Sequence, residues 1–471
     1  MATDGDVEKP ARLDRTMFDS TLPLTALRVP AQCCNAIMKN PTMKNVLLRR
    51  PKLRSVVEDA QDMTKRLVLL AENVTSDLSE LPDNAVSFLA SQVCPQAASG
   101  EVDDKRAELR QIAVEYGLKL TYADLSTEEV FRRVLPACGE DPPTAFETIG
   151  HIAHLNLREQ WLPYKHIIGQ VILDKNPGLR TVCNKVCTLA NTFRTPELEL
   201  LAGQEDFVAT VRESGLAFEV DYANVYWNSR LSNERSRLAD LIPREDTVCD
   251  MFAGVGAFAM YLGRKGCRVL ANDLNPVGAK LITTNAQRNR VSANVTSFNM
   301  DARAFVRHCA REEGLGLFDA SSRPLRLHFV MNLPELAIDF LDVFRGIYRV
   351  ATGRDAPSDP GSPSAGLPRL SVHCYCFAKT DPPEDEIHPR VEAALGMVPP
   401  ETRLTEVRDV APRKRMYCVE FDVPPEVAWA EHPAESRTDG EGKGDGGEGQ
   451  TEAGPGVEGE GEPVLKKARR D

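Results

Sequence analysis

The sequence predicts an α/β protein whose C-terminal half is a doubly wound, mostly parallel sheet, preceded by small α+β domains. Three observations carry this reading. Short apolar runs alternate with amphipathic stretches from Thr247 to Val423, a glycine turn follows the first run, and acidic residues stand where the next runs end.

"DTVCDMFAGVGAFAMYLGRKGCRVLANDLNP" (246–276) opens the sheet. Thr247–Met251 reads as a short buried strand and Ala257–Lys265 as a helix. Between them Gly254 and Gly256 supply a tight turn that lets backbone approach a ligand closely. Cys267–Asn272 reads as a second strand ending in Asp273, and Pro276 belongs to the first turn of the next helix. Such a βαβ unit crosses over right-handed and binds its ligand at the carboxyl ends of the strands. "NVTSFNMDARAF" (294–305) is a third strand ending at Asp301, followed by a helix. "LRLHFVMNLPELAIDFLDVFRGIYRV" (325–350) is a buried strand ending in Asn332, Leu333 and Pro334. It leads into an amphipathic helix with Leu336, Phe340, Phe344 and Ile347 on one face. "RLSVHCYCFAK" (369–379) and "RMYCVEFDV" (415–423) complete the set.

The turn narrows the ligand. "GVGAFA" satisfies a dinucleotide fingerprint with Ala259 last, but that pattern alone is weak. Asp250, just ahead of the turn, would repel a pyrophosphate and could hold a cationic amino-acid end. No Gly-Lys-Ser/Thr follows, so a Walker phosphate loop is excluded. The pattern Asp-x-Phe-x-Gly-x-Gly-x-Phe suits S-adenosylmethionine, which carries an ammonium, a sulfonium and a ribose but no phosphate. Asp273 is placed to accept from two ribose hydroxyls and Asp301 from the adenine amine, with the Ala302 amide free for the ring.

"DMFAGVGAFA", "NDLNP", "MDAR" and "NLP", in this order, resemble the eukaryotic and archaeal tRNA (guanine-37-N1)-methyltransferase family. So do "GHIAHLNLREQWLPYKHIIGQVILDKNP" (150–177) and "VYWNSRLSNERSRL" (225–238), which do not belong to methyltransferases generally. The resemblance spans residues 45 to 424. It implies a class I, Rossmann-like methyltransferase domain and S-adenosylmethionine as methyl donor, with no metal. It also implies tRNA bearing guanine next to the anticodon as partner, and an N-terminal domain that checks the tRNA elbow. Leu274, beside Asp273, and Arg235, where animal relatives often carry His, are assigned by the resemblance to donor binding.

For chemistry, the guanine N1 must lose its proton before its lone pair can attack, so a carboxylate base is expected. Charge then develops toward O6, where an arginine would stabilise it. "RLSNER" supplies Arg230 and Glu234, four apart on an expected helical turn, as candidates; a surface ion pair is the bland alternative. Asn332, with the turn at Leu333 and Pro334, stands where its amide could reach both donor and base. Pro334 would otherwise be a simple helix cap. Two rival functions remain, and the resemblance to the first weakens at "NLP" and "RLSNER". One is the wybutosine-pathway transfer of an aminocarboxypropyl group to the same nucleotide. The other is a non-catalytic tRNA-binding protein, against which Asp273, Asp301 and Asn332 speak.

Composition bears on the partner. The formal charge is −12, and the segment from Pro425 onward, with 12 acidic and 6 basic residues, carries half of it. An acidic total does not forbid a local basic track. Candidates for phosphate contacts are "KNVLLRRPKLR" (44–54), Arg158 with Lys165, Arg180 with Lys185, and "PRKR" (412–415). The 12 cysteines are irregularly spaced and read as reduced and structural.

The layout expected is a poorly ordered leader (1–44), an N-terminal tRNA-recognition domain (45–125) with helical patterns such as "KLRSVVEDAQDMTKRLVLLAE", and a mixed α/β middle domain (144–228). The methyltransferase domain (229–424) and a disordered Gly/Glu-rich tail (425–471) follow. A surface loop is expected over 351–366. The acidic leader is wrong for a mitochondrial presequence, and no apolar run of membrane-spanning length is present. "KKARR" (466–470) resembles a nuclear import signal. A monomer in cytoplasm and nucleus, with a pool in the mitochondrial matrix suggested by the family, is expected.

Overall fold

The computed structural model describes residues 13–93, 100–137, 141–187, 195–313, 326–357 and 367–431. The first sheet is antiparallel, in the order β2-β3-β1-β4, from β1 (Ser20–Pro30), β2 (Val56–Glu58), β3 (Lys65–Leu69) and β4 (Ala113–Leu120). Residues 13–44 are therefore not a disordered leader: β1 lies inside this sheet, with Ala26, Leu27 and Val29 fully buried. Pro23 sits where β1 pairs with β4 alone, a one-sided position that tolerates an imino nitrogen. The helical reading around residues 52–72 is also corrected. Val56, Val57, Leu67, Val68 and Leu69 belong to β2 and β3, joined by a turn in which Asp59 and Asp62 accept from the Gln61 and Thr64 amides. Helices in this region fall instead at Asp83–Val93 and Val102–Gln111.

The second sheet has the order β5-β6-β7-β8, from β5 (Glu147–Ile149), β6 (Ile152–Leu155), β7 (Thr181–Cys187) and β8 (Glu197–Gly203). The first two sheets do not belong to separate cores. Phe18, Leu120 and Phe131 pack in one cluster with Trp161, Ile168 and Val182. Asp174 ties the two parts together, accepting from Arg15 at 2.7 Å and from the Tyr122 hydroxyl at 3.0 Å.

A hairpin of β9 (Val208–Glu213) and β10 (Leu216–Asp221) follows. The middle domain was expected to run to residue 228, yet this hairpin is built onto the C-terminal domain. Its outer strand is sealed by Asn285 of the Pro276–Arg288 helix and by Asn289, the C-cap of that helix. Asn285 accepts from the Glu219 amide at 2.7 Å and donates to its carbonyl at 3.1 Å, and Asn289 does the same for Ala217. Side-chain amides here replace the missing neighbour strand, which satisfies the backbone of an edge.

The C-terminal sheet contains β11 (Thr247–Asp250), β12 (Arg268–Asn272), β13 (Val295–Phe298), β14 (Arg326–Met331), β15 (Arg369–Ala378), β16 (Arg403–Ala411) and β17 (Lys414–Asp422). Its order is β13-β12-β11-β14-β15-β17-β16, parallel as far as β15, with β17 and β16 antiparallel. The chain steps outward from β11 to β13 and then returns to the other side of β11. The crevice between β11 and β14 is thus a topological switch point, where ligands bind in open α/β sheets. Both faces are covered, by clusters containing Phe258, Leu262 and Ile282 on one side and Phe305, Leu341 and Phe344 on the other.

Two further expectations change. The segment after Pro334 is a 3-10 helix, Ala337–Phe344, with Leu336 outside it and exposed. The C-terminal domain runs past residue 424, because Val427, Ala428 and Trp429 pack into its second core cluster. The remainder of the expected tail and residues 358–366 of the expected loop lie outside the described residues. No helix among the described residues is long and apolar enough to cross a membrane.

Candidate active site

The glycine turn is shaped by its backbone. Gly254 and Gly256 have φ of 58° and 81°, in the left-handed region that other residues occupy only with strain. Gly256 caps the Ala257–Lys265 helix, so the turn presents that helix's first amides to the crevice. Asp273, at the end of β12, closes the turn: Oδ2 accepts from the Gly254 amide at 2.7 Å and Oδ1 from the Asn275 amide at 2.8 Å. Gly278 permits this closeness, since a Cβ there would lie 3.0 Å from the Gly254 carbonyl oxygen and 3.3 Å from Asp273 Cγ.

Asp250 is fully buried beneath the turn, and neither of its carboxylate oxygens has a hydrogen-bond partner of normal geometry among the described residues. Burial above all, then the charge of Asp273, pushes its carboxyl up to about 8, against a weaker pull from the Phe252 amide. Burial also pushes Asp273 upward, opposed by the Asn275 and Gly254 amides. Two crowded carboxyls without a cation are costly, and a positively charged group placed between them would relieve both. At the same strand ends, Asn332 carries a buried Oδ1 without a partner among the described residues. Leu274 is half exposed beside Asp273. Asp301, which follows β13, caps the Ala302–His308 helix through Oδ1, which accepts from the Arg303 and Ala304 amides. These residues fit a ligand that is cationic at one end, hydroxylated in the middle and flat at the other.

Arg230 and Glu234 do not form the surface ion pair that was the bland alternative. Arg230 lies in the 3-10 turn Ser229–Leu231, half exposed, and its guanidinium bonds Glu147 of β5. Glu234, on the Ser232–Leu241 helix, is buried and takes its partners from Arg237 and Tyr375 instead of Arg230. Arg237 donates to both of its oxygens, each at 2.7 Å, and the Tyr375 hydroxyl donates to Oε1 at 2.8 Å. A carboxylate has about four acceptor positions. Three are used, so one remains on Oε2.

Arg235 is corrected as well. It is buried against Trp227, donates to both Glu213 oxygens at 2.8 and 2.9 Å and to the Asn228 carbonyl, and so braces the hairpin instead of facing the crevice. Pro334 sits in the turn after β14, where Leu333 accepts from the Leu336 and Ala337 amides.

Two features escaped the sequence reading. Tyr226, with its ring half exposed, has its carbonyl beside Gly254, 3.9 Å from where a Cβ would stand. Behind Glu234 runs a buried polar chain. Glu420 accepts from Arg237 and Thr405 and meets His373 at 3.2 Å; His373 meets His328 at 3.0 Å, and His328 meets Asp246 at 3.2 Å. Burial and the His373 neighbour lower His328 to about 4. Glu420 is held down at about 2: burial opposes this, and His373 and Arg237 overcome it. His373, Cys418 and Glu420 offer three ligand atoms within 4.8 Å, but Arg237 already binds Glu420. The signal for the chain was polar residues at alternate positions of a strand buried on both faces, His373 and Tyr375.

If Asp273 both shapes the turn and meets the ligand, Asp273→Ala should weaken donor binding by roughly 1.5–3 kcal/mol, the cost of hydrogen bonds to a charged group. Calorimetry reads this directly, and unchanged affinity would remove Asp273 from the site.

Comparisons with known proteins accord with this geometry. The TRM5/TYW2 methyltransferase domain profile matches residues 209–350, and the TYW2 N-terminal domain profile matches residues 127–206. The first of these begins at the β9–β10 hairpin. The tRNA (guanine(37)-N(1))-methyltransferase of Danio rerio is 40% identical over 436 residues, covering 90% of this chain and 84% of that protein. Its Homo sapiens counterpart is 36% identical over 427 residues, covering 90% and 78%. Among solved structures, the complex of aTrm5 with tRNALeu aligns at a TM-score of 0.54 and 19% identity, over 84% of this chain and 99% of that one. Trm5b from Pyrococcus abyssi aligns at 0.51 and 21%, over 85% and 99%. At that identity the structures speak for the fold. The relatives speak for more: the chain belongs to the TRM5/TYW2 methyltransferase family.

Proposed function

We propose that this protein methylates N1 of guanosine-37 in tRNA, with S-adenosylmethionine as donor. The observation that carries the reading is the buried Asp250, whose unpartnered oxygens lie under a glycine turn closed by Asp273. A nucleotide phosphate would be repelled there, whereas an ammonium is what such a site lacks. The names of relatives at 36–40% identity over about nine-tenths of the chain supply the acceptor.

The donor supplies an electrophilic methyl on a positively charged sulfur. Every other task falls to the chain. Asp250 holds the amino-acid end, Asp273 the ribose, and Leu274, Asp301 and the Ala302 amide the adenine. Asn332, in the turn completed by Pro334, orients the guanine edge toward the methyl. The free lone pair on Glu234 Oε2 takes the N1 proton, the N1 lone pair then attacks carbon, and the bond to sulfur breaks. Arg230 stabilises the charge that develops on O6. Most of the rate comes from holding these atoms in line.

The aminocarboxypropyl transfer remains the competing reading, because the TYW2 N-terminal profile matches residues 127–206. Incubating the protein with unmodified tRNA and donor labelled separately in the methyl and in the amino-acid portion distinguishes the two. Methyl label in the tRNA is expected, and amino-acid label there would favour the alternative. Action as a monomer, in cytoplasm and nucleus with a matrix pool, extends the same reading; light scattering and a fluorescent fusion test it.

A further inference from the structure

We propose that Tyr375 is a positioning residue for methyl transfer, its hydroxyl fixing the Glu234 carboxylate while its ring supports the donor-binding helix. The inference rests on the reading of Glu234 as base. Tyr375 is fully buried in the middle of β15, and its hydroxyl donates to Glu234 Oε1 at 2.8 Å. Its ring lies 5.5 Å from that of Phe258, the second residue of the helix leading out of the glycine turn. Its backbone is level with Asn332, because Met331 pairs with Cys374 across β14 and β15. The Tyr375 side chain therefore joins Glu234 to the helix that leaves the glycine turn.

Packing alone would be served by phenylalanine. The hydroxyl adds a directed bond to a group whose angle decides whether its one free lone pair faces the guanine. The opposite side of Glu234 is held by Arg237, which is not free to follow a displaced carboxylate, being shared with Glu420 at 3.2 Å. Glu420 is in turn held by Thr405 and His373. On the same side, Cys418 stands opposite Tyr375 in β17, and Glu420 shares Arg237 with Glu234. Tyr375 and Arg237 thus fix the carboxylate between them. Displacing a reacting group by about an ångström can cost as much as 10²-fold in rate.

The test is Tyr375→Phe, alone and combined with Glu234→Gln, in single-turnover methylation at saturating tRNA and donor. Alone, the variant is expected to lose about ten-fold in rate, the value of one hydrogen bond to a charged group. Its donor and tRNA affinities should stay within about two-fold and its melting temperature should be little changed. In the Glu234→Gln background no further loss is expected, since the hydroxyl acts through that carboxylate. A slow Glu234→Gln beside a Tyr375→Phe of wild-type rate would overturn the proposal while leaving the base assignment standing. Losses that multiply in the double variant, or a rate loss that merely follows lost affinity or melting, would overturn it too. Glu234→Gln at the wild-type rate would remove the base itself, and the proposal with it.

Discussion

Glu234→Gln is expected to slow single-turnover methylation by about 10²-fold or more, the usual loss with a general base, while donor and tRNA bind within a few-fold of wild type. The defect should shrink as pH rises, because hydroxide then removes the N1 proton that the amide cannot. Arg230→Ala should lose a comparable factor without that rescue, its task being charge stabilisation. Arg230 is anchored by Glu147 from the second sheet, so Glu147→Gln is the control. It disturbs the same junction without removing the guanidinium, and should cost far less rate. A Glu234→Gln enzyme of wild-type speed would mean that the Arg237 and Tyr375 bonds to this carboxylate serve folding only.

Asp250→Asn should separate stability from binding. A carboxyl raised to about 8 in the folded protein, against about 3.9 in an unfolded chain, binds an extra proton on folding between those values. Stability from this group is therefore fully present below about pH 4 and is lost as pH rises toward 8. Asparagine removes that slope, so without donor the variant should melt above wild type at pH 8 and lose this advantage toward pH 4. Donor binding should move the opposite way. A cationic ligand end favours the ionised carboxylate, and the amide should lose roughly 1.5–3 kcal/mol of affinity. Thermal melts with and without donor at the two pH values read both effects. Wild-type affinity in Asp250→Asn would displace the amino-acid end from this carboxylate.

The catalytic half was legible because its punctuation is local. Gly256 and Gly266 both take positive φ, so the helix between them runs over Ala257–Lys265, the bounds read from sequence. Asp273, Asn275 and Pro276 likewise end one strand and start the next helix by bonds within three residues. What could not be read depends on distant partners. Arg230 and Glu234 suggest an ion pair only if both are helical, and the 3-10 turn at Ser229–Leu231 rotates Arg230 toward Glu147. Arg235 looked available because Glu213 and Trp227 are brought to it by the hairpin and the preceding loop. The N-terminal strand β1 was hidden by its prolines, and its core by partners 35 or more residues away in β3 and β4. Tyr375 and His373 sat in plain view within "HCYCF", but alternation shows only that they share a face, not that Glu234 and Glu420 await them there.

The central claim is a methyl group placed on one ring nitrogen of one nucleotide. The most direct test digests tRNA treated with wild-type protein and donor, and identifies the modified nucleoside and its position by mass spectrometry. Substrates carrying guanosine or adenosine at position 37 should be compared. The account expects 1-methylguanosine at position 37 of the first and no modification of the second. An aminocarboxypropyl adduct, a methyl group at another atom or position, or equal labelling of both tRNAs would contradict it.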